Sequence, residues 1–141
     1  MKVDVKNAGA GHFIPAGAPG RQIVLRASFL GRSGDEIALQ ERVFQRRLED
    51  PEGNVGSLTT AARVKSDTRI APLATRREVF ELRAPDASAV RLVLARRTDP
   101  ELSARLKVEV TPEQPIASVV LALRSSDGRR RTSTGLTALA R

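Results

Sequence analysis

The 141-residue sequence has no cysteine, no tryptophan and no tyrosine, and a single histidine, His12. The missing cysteines exclude a disulfide framework, a thiolate zinc or iron–sulfur site, a cysteine nucleophile and a CxxCH motif for covalent haem attachment. With one histidine, a Ser-His-Asp triad has only His12 to be built on. Aromatic residues make up 3% of the chain, all of them phenylalanine. That leaves no antibody-type tryptophan on a disulfide and few stacking platforms for nucleobases. No apolar run approaches the ~20 residues of a membrane-spanning helix. Acidic residues such as Asp4, Asp35, Glu36, Glu41, Asp50, Glu52 and Asp67 are scattered over expected turns and strand ends, with no pair set up for acid–base work. The expectation is a protein that is not an enzyme.

Hydrophobic residues at 40% are enough for one globular domain with a buried core. Lys+Arg number 24 against 16 Asp+Glu, a net charge of +8, and nearly all the cations are arginine. Arginine favours bidentate pairing with carboxylate or phosphate. Either this is a compositional bias, or the partner is anionic: an acidic protein, a nucleic acid or a membrane surface.

Strand patterns dominate. Val3 and Val5 alternate with Lys2, Asp4 and Lys6, and over 21–30 Ile23, Leu25, Ala27 and Phe29 fall on one face with Arg26 and Ser28 on the other, a half-buried strand. A turn at 31–35 leads to a strand over 36–48 whose parity breaks at 40–43, where a bulge would restore register. After a turn at 50–54, residues 55–66 read as mostly loop. Strands are expected at 68–71, at 76–82 with Phe80 and Leu82 inward, at 89–96 with Val90, Leu92 and Leu94 inward, and at 116–123. Asp99 and Pro100 mark the start of a short helix carrying Leu102 and Leu106 and ending near Lys107. Val108 and Val110 either begin another strand or extend this segment, and Pro112 and Pro115 end it. These intervals predict an all-β fold, an antiparallel β-sandwich of immunoglobulin-like type with one short helix. The domain is expected over 1–126, followed by a turn at 125–128 and a basic tail over 127–141.

Residues 7–20 break the pattern. Gly9, Gly11, Gly17 and Gly20 permit close backbone approach, Pro15 and Pro19 stiffen the chain between them, and the segment carries the lone histidine. Its spacing matches neither a Walker A loop nor GxGxxG, and no helix follows to supply a dipole to a phosphate. Two roles for His12 stay open: a ligand held in a fixed direction, or a loop-ordering side chain bonded to backbone carbonyls.

The run Asn7-Ala8-Gly9-Ala10-Gly11-His12-Phe13-Ile14-Pro15-Ala16-Gly17, followed by Arg21, resembles a segment of bacterial multihaem c-type cytochromes that begins a β-sandwich module beside the haem-bearing part. Asp67-Thr68-Arg69-Ile70-Ala71-Pro72 with Glu78-Val79-Phe80-Glu81-Leu82 is similar to that module's middle strands, and Val90 to Arg97 to its next strand. The resemblance covers residues 3–106, and Ala16 departs from it where the family usually has threonine. It implies that His12 is an axial ligand to haem iron, with Phe13, Ile14 and Pro15 against the porphyrin. Because no CxxCH exists here, that haem c would be carried by a partner chain or by a missing upstream portion of this one. A non-covalent haem is a third route.

The implied role is a non-catalytic accessory subunit or domain of a multihaem cytochrome electron-transfer complex, a hetero-oligomer, periplasmic or extracellular. Residues 1–6 have no signal-peptide hydrophobic region, so the chain is either cytoplasmic or lacks its leader. Arg21, Arg46, Arg47, Arg76, Arg77, Arg96 and Arg97 are the candidate partner-binding cations, facing haem propionates or an acidic cytochrome surface. Their alternative role is a solvated basic surface. The alternative for the whole chain is an immunoglobulin-like interaction module of an extracellular or envelope assembly with no haem contact. Nucleic acid is not an expected partner, and only the arginine-rich tail offers it backbone contacts.

Overall fold

Alternation of valine with charged residues places Val3 and Val5 on the buried face of β1 (Lys2–Lys6) and leaves Lys2 and Lys6 in water. In the computed structural model, which describes residues 1–81 and 85–123, β1 pairs antiparallel with β6 (Thr75–Val79). A four-stranded antiparallel sheet faces this pair. Its order is β3 (Glu36–Phe44), β2 (Arg21–Leu30), β7 (Ala89–Thr98), β8 (Gln114–Ala122). Leu25, Ala27 and Phe29 of β2 and Val90, Leu92 and Leu94 of β7 meet Val3, Val5, Ile70 and Phe80 in one core. Each buried phenylalanine contributes about 1.5–3 kcal/mol of transfer free energy. The fold is therefore mostly β, with antiparallel sheets packed together and one short helix, as the sequence predicts.

β2 is buried on both faces, where the sequence pattern predicts one wet face. Val24 and Ser28, on the side away from the core, are buried as well. Arg26 on this outer face is held by Glu41 at 3.1 Å from β3 and by Glu113 at 2.8 Å. Residue 113 lies just ahead of β8, so the segment after the helix is fastened over a central strand through this ion pair.

The long strand expected at 36–48 is two. β3 pairs with β2, whereas β4 (Arg46–Glu49) pairs with β5 (Arg63–Asp67). The change of partner falls at Gln45, whose backbone N–H donates to Thr68 Oγ1 at 3.0 Å and whose side chain accepts from Gln22 Nε2 at 2.8 Å. There is no bulge at 40–43: the β2–β3 register runs unbroken from Val43 to Ala38, and the parity breaks because Gln40 and Arg42 share the face of Ala38 and buried Phe44 while Ile37 and Leu39 are exposed. β5 corrects the expected loop at 55–66. All five of its residues are exposed, so no apolar alternation marked it.

The strand expected at 68–71 is also absent. Thr68 N–H bonds Gln45 O, and Ile70 forms a single bridge with Ile14, so this backbone is spent on two loops instead of a ladder. β8 begins at Gln114, ahead of the expected 116, and accepts Pro115 because it is an edge strand with a register shift opposite Leu94 and Ala95.

Helix α1 (Pro100–Leu106) starts as read from the sequence. Asp99 caps it by accepting from Glu101 N at 2.9 Å and Leu102 N at 3.4 Å, and Lys107 closes it in the left-handed conformation. Leu102 packs so closely on Gly20 (φ +91) that a Cβ there would lie 2.6 Å from Leu102 Cδ2. Val108 and Val110 are in no strand. Leu82, the turn at 125–128, the domain boundary at 126 and the tail over 127–141 lie outside the described residues.

Candidate functional site

Residues 7–20 link β1 to β2 across one end of the sandwich, and Asn7 organises them. Its side chain is 2% exposed. Asn7 Nδ2 donates to His12 O at 2.8 Å and to Ile70 O at 3.2 Å, while Asn7 Oδ1 accepts from Ala10 N at 3.2 Å. Ile14 and Ile70 exchange backbone hydrogen bonds of 2.9 Å in both directions. The loop is thus closed on itself by one buried amide and fastened to residue 70 on both sides of His12. The Ile14–Pro15 peptide bond is cis.

On this frame His12 is exposed, and its Nδ1 lies 3.0 Å from the Phe13 carbonyl oxygen. A carbonyl only accepts, so this contact assigns the proton to Nδ1 and leaves the lone pair on Nε2. Nε2 has no protein partner among the described residues. With Nδ1–H held by a backbone carbonyl, the Nε2 lone pair is free to accept a hydrogen bond or to donate to a metal. No group of three or more His, Cys, Asp or Glu that could hold a metal ion occurs among the described residues.

Phe13 is also exposed, with the Arg69 guanidinium 5.0 Å from its ring centre. Arg69 is held in turn by Asp67, at 2.8 Å from Nε and 2.6 Å from Nη2. The Arg69 hydrogen bonds hold the Asp67 carboxyl below its ordinary value, and the Asp67 contact raises Arg69. With Ala16, Ile14 and Pro15 line a groove of about 490 Å³ whose other walls include Ile23, Arg96 and Ile116, and neither His12 nor Phe13 lines it. The four expected haem-facing residues are consecutive and held by one clamp; Ile14 and Pro15 line the groove, and Pro15 also borders a depression with Arg69, which covers Phe13.

The candidate arginines divide by what they already hold. Arg47 donates to Glu101 at 2.5 Å, Arg77 makes a bidentate pair with Asp4 at 2.7 and 2.8 Å, and Arg76 lies 3.3 Å from Glu78. Arg97 bonds Glu41 and Gln22, both at 2.8 Å, on the outer face of the sheet. Arg21, Arg46 and Arg96 have no carboxylate within ion-pair distance among the described residues. Arg21 reaches only the Ala16 carbonyl at 3.5 Å, and Arg96 bonds the side-chain oxygen of Gln114 at 2.7 Å. Arg21 and Arg46 both border a smaller depression of about 110 Å³ beside Pro15, with Arg69. Of the candidate arginines, the three without a carboxylate partner therefore gather around Pro15, while Arg76 and Arg77 sit on β6 in the opposite sheet.

Sequence reasoning gives neither Asn7 nor Arg69 a role. A buried asparagine directly after an alternating strand is the signal that could have found Asn7, because only a loop bonding its amide makes such a position tolerable. Arg69 had no comparable signal, since its partners Phe13 and Asp67 meet it only in the fold.

No protein-family model and no curated protein matches the sequence. Among solved structures, the chain is similar to a penta-heme cytochrome c552 from Thermochromatium tepidum, with 23% identity and a TM-score of 0.67 over 87% of this chain. The match spans 39% of that cytochrome. The fold thus resembles part of a multihaem cytochrome, in a chain with no cysteine to attach a haem c of its own.

Proposed function

We propose that this chain is a non-catalytic accessory domain of a multihaem electron-transfer assembly outside the cytoplasm, and that His12 supplies an axial ligand to a haem carried by another polypeptide or by another part of a longer one. The observation that carries the reading is the His12 imidazole itself, with Nδ1 bonded to the Phe13 carbonyl and Nε2 left bare. The likeness in fold to part of a penta-heme cytochrome c552 supports it.

The chain's own residues then do three things. Asn7 fixes the backbone of His12, so that the imidazole is presented without first ordering a loop. The Phe13 carbonyl sets the tautomer and makes Nε2 the better donor. Phe13 offers an apolar face beside the ligand, and Arg21 and Arg46 meet an acidic partner with charges not already paired. A haem so bound supplies one-electron chemistry, whose potential depends on the axial ligand and on exclusion of water.

Purification of the native assembly from its source organism tests this reading. A haem-bearing polypeptide in stoichiometric amount is expected. A stable assembly that contains this chain and no haem contradicts it, and would favour an interaction module of the same fold.

A further inference from the structure

We propose that the groove between Pro15 and Ile116 is a binding site for a small amphipathic carboxylate, separate from the imidazole surface of His12. The cavity measures about 490 Å³, within the range of about 300–1,000 Å³ typical of small-molecule sites. One wall is apolar, built from Ile14, Pro15, Ile23 and Ile116, and no acidic residue lines any part of it. Arg21 and Arg96 line the same groove without a carboxylate of their own, and a third cation of the lining, Arg97, is already neutralised by Glu41 at 2.8 Å.

The two open cations are positioned rather than loose. Gln114 accepts from Arg96 Nε at 2.7 Å, which orients the guanidinium and leaves both of its terminal nitrogens without a protein acceptor among the described residues. Arg21 lies across Gly17, where a Cβ would come within 3.0 Å of Arg21 Nη1. Gly17, at φ +86, gives the side chain its place. Two guanidinium groups with open donors beside an apolar wall match a carboxylate or two attached to an apolar body. An uncharged apolar ligand leaves those donors unused, and an inorganic anion leaves the wall unused.

The site does not need His12, and its test is independent of haem. Decanoate, kept below its micelle concentration, is titrated into the isotope-labelled full chain, and backbone amide shifts are followed by NMR. Decanol and inorganic phosphate are titrated in parallel. Saturable shifts confined to Ile14, Ile23, Arg96 and Ile116 are expected for decanoate, with binding at least tenfold weaker for decanol and for phosphate. Arg21→Ala combined with Arg96→Ala should weaken decanoate at least tenfold, while the spectrum elsewhere shows the fold intact. Gln114→Ala, which frees Arg96 without removing its charge, should give a smaller loss in the same direction. Absence of saturable shifts, equal binding of decanol, or indifference to the double substitution overturns the proposal.

Discussion

Asn7 and His12 are joined by a 2.8 Å hydrogen bond from the Asn7 side-chain amide to the His12 carbonyl oxygen, made by an asparagine that is itself buried. The same amide group bonds Ile70 O, and its oxygen takes the Ala10 N–H. One side chain therefore satisfies three backbone groups and holds the loop in the shape that presents the imidazole.

Asn7→Ala removes all three bonds and leaves the Ile70 carbonyl without this donor. A loss of about 1–3 kcal/mol is expected, since the His12 carbonyl and the Ala10 N–H lose a part-buried partner while Ile70 O keeps only Ile14 N–H. Urea unfolding measures it, and amide exchange locates it: protection should fall at Ala10 and persist at Ile14, whose own bond to Ile70 remains. Unchanged stability would show that the loop holds its shape without the clamp.

Gly20→Ala tests the contact between the loop's end and α1. The added Cβ meets Leu102 Cδ2, and the backbone there is in a region that side chains rarely adopt. A cost of about 1–3 kcal/mol is expected from each source. Combining Gly20→Ala with Leu102→Ala relieves the collision but not the backbone strain, so the melting temperature should stay below wild type. Full recovery would mean that the glycine serves packing alone.

Local rules made much of this structure legible beforehand. β1, β2 and α1 begin and end where alternation, the Asp99 cap and Pro100 place them, because those signals are local. The elements misjudged depend on partners distant in sequence. β5 is wholly exposed and is a strand because β4 lies beside it, while Ile70 looks like a strand residue yet bonds a loop 56 positions earlier (70 − 14). The same limit applies at the site. His12 is visible because it is the lone histidine, but the direction of its Nε2 depends on the Phe13 carbonyl, and the separation of Ile14 and Pro15 from it depends on where β7 and β8 leave a groove.

The protein should lose stability in acid rather than in base. Hydrogen bonds from Lys65 and Arg63 hold Glu49 below its ordinary value, those from Arg26 do the same for Glu113, and Arg77 does so for Asp4. A carboxylate whose folded pKa is depressed binds fewer protons folded than unfolded. Its contribution is complete above the unfolded value near 4 and drains away as pH falls through the folded value. The melting temperature should be nearly level from pH 7 to about 5 and drop steeply below about 4. A melting temperature that stays level through about pH 3 would contradict this linkage.

The arginines that are already paired should matter least to association. Arg21→Ala with Arg46→Ala removes two uncommitted charges near the loop and should slow binding of an acidic partner several-fold at low salt, with a smaller effect as salt rises. Arg77→Ala, whose guanidinium is occupied by Asp4, should change the rate little. Association kinetics of the purified partner at two ionic strengths check both. Effects in proportion to the charges removed, two against one, would mean that net charge alone steers the encounter.

The account rests on the bare Nε2 of His12, and the visible and electron paramagnetic resonance spectra of the haem-containing assembly test it most directly. With His12→Ala in place of the native chain, and the assembly still intact by size, one haem should lose its histidine ligand, changing its low-spin signature and shifting its reduction potential. An assembly with His12→Ala whose low-spin spectrum and potentials are identical to those of the native one would contradict the claim.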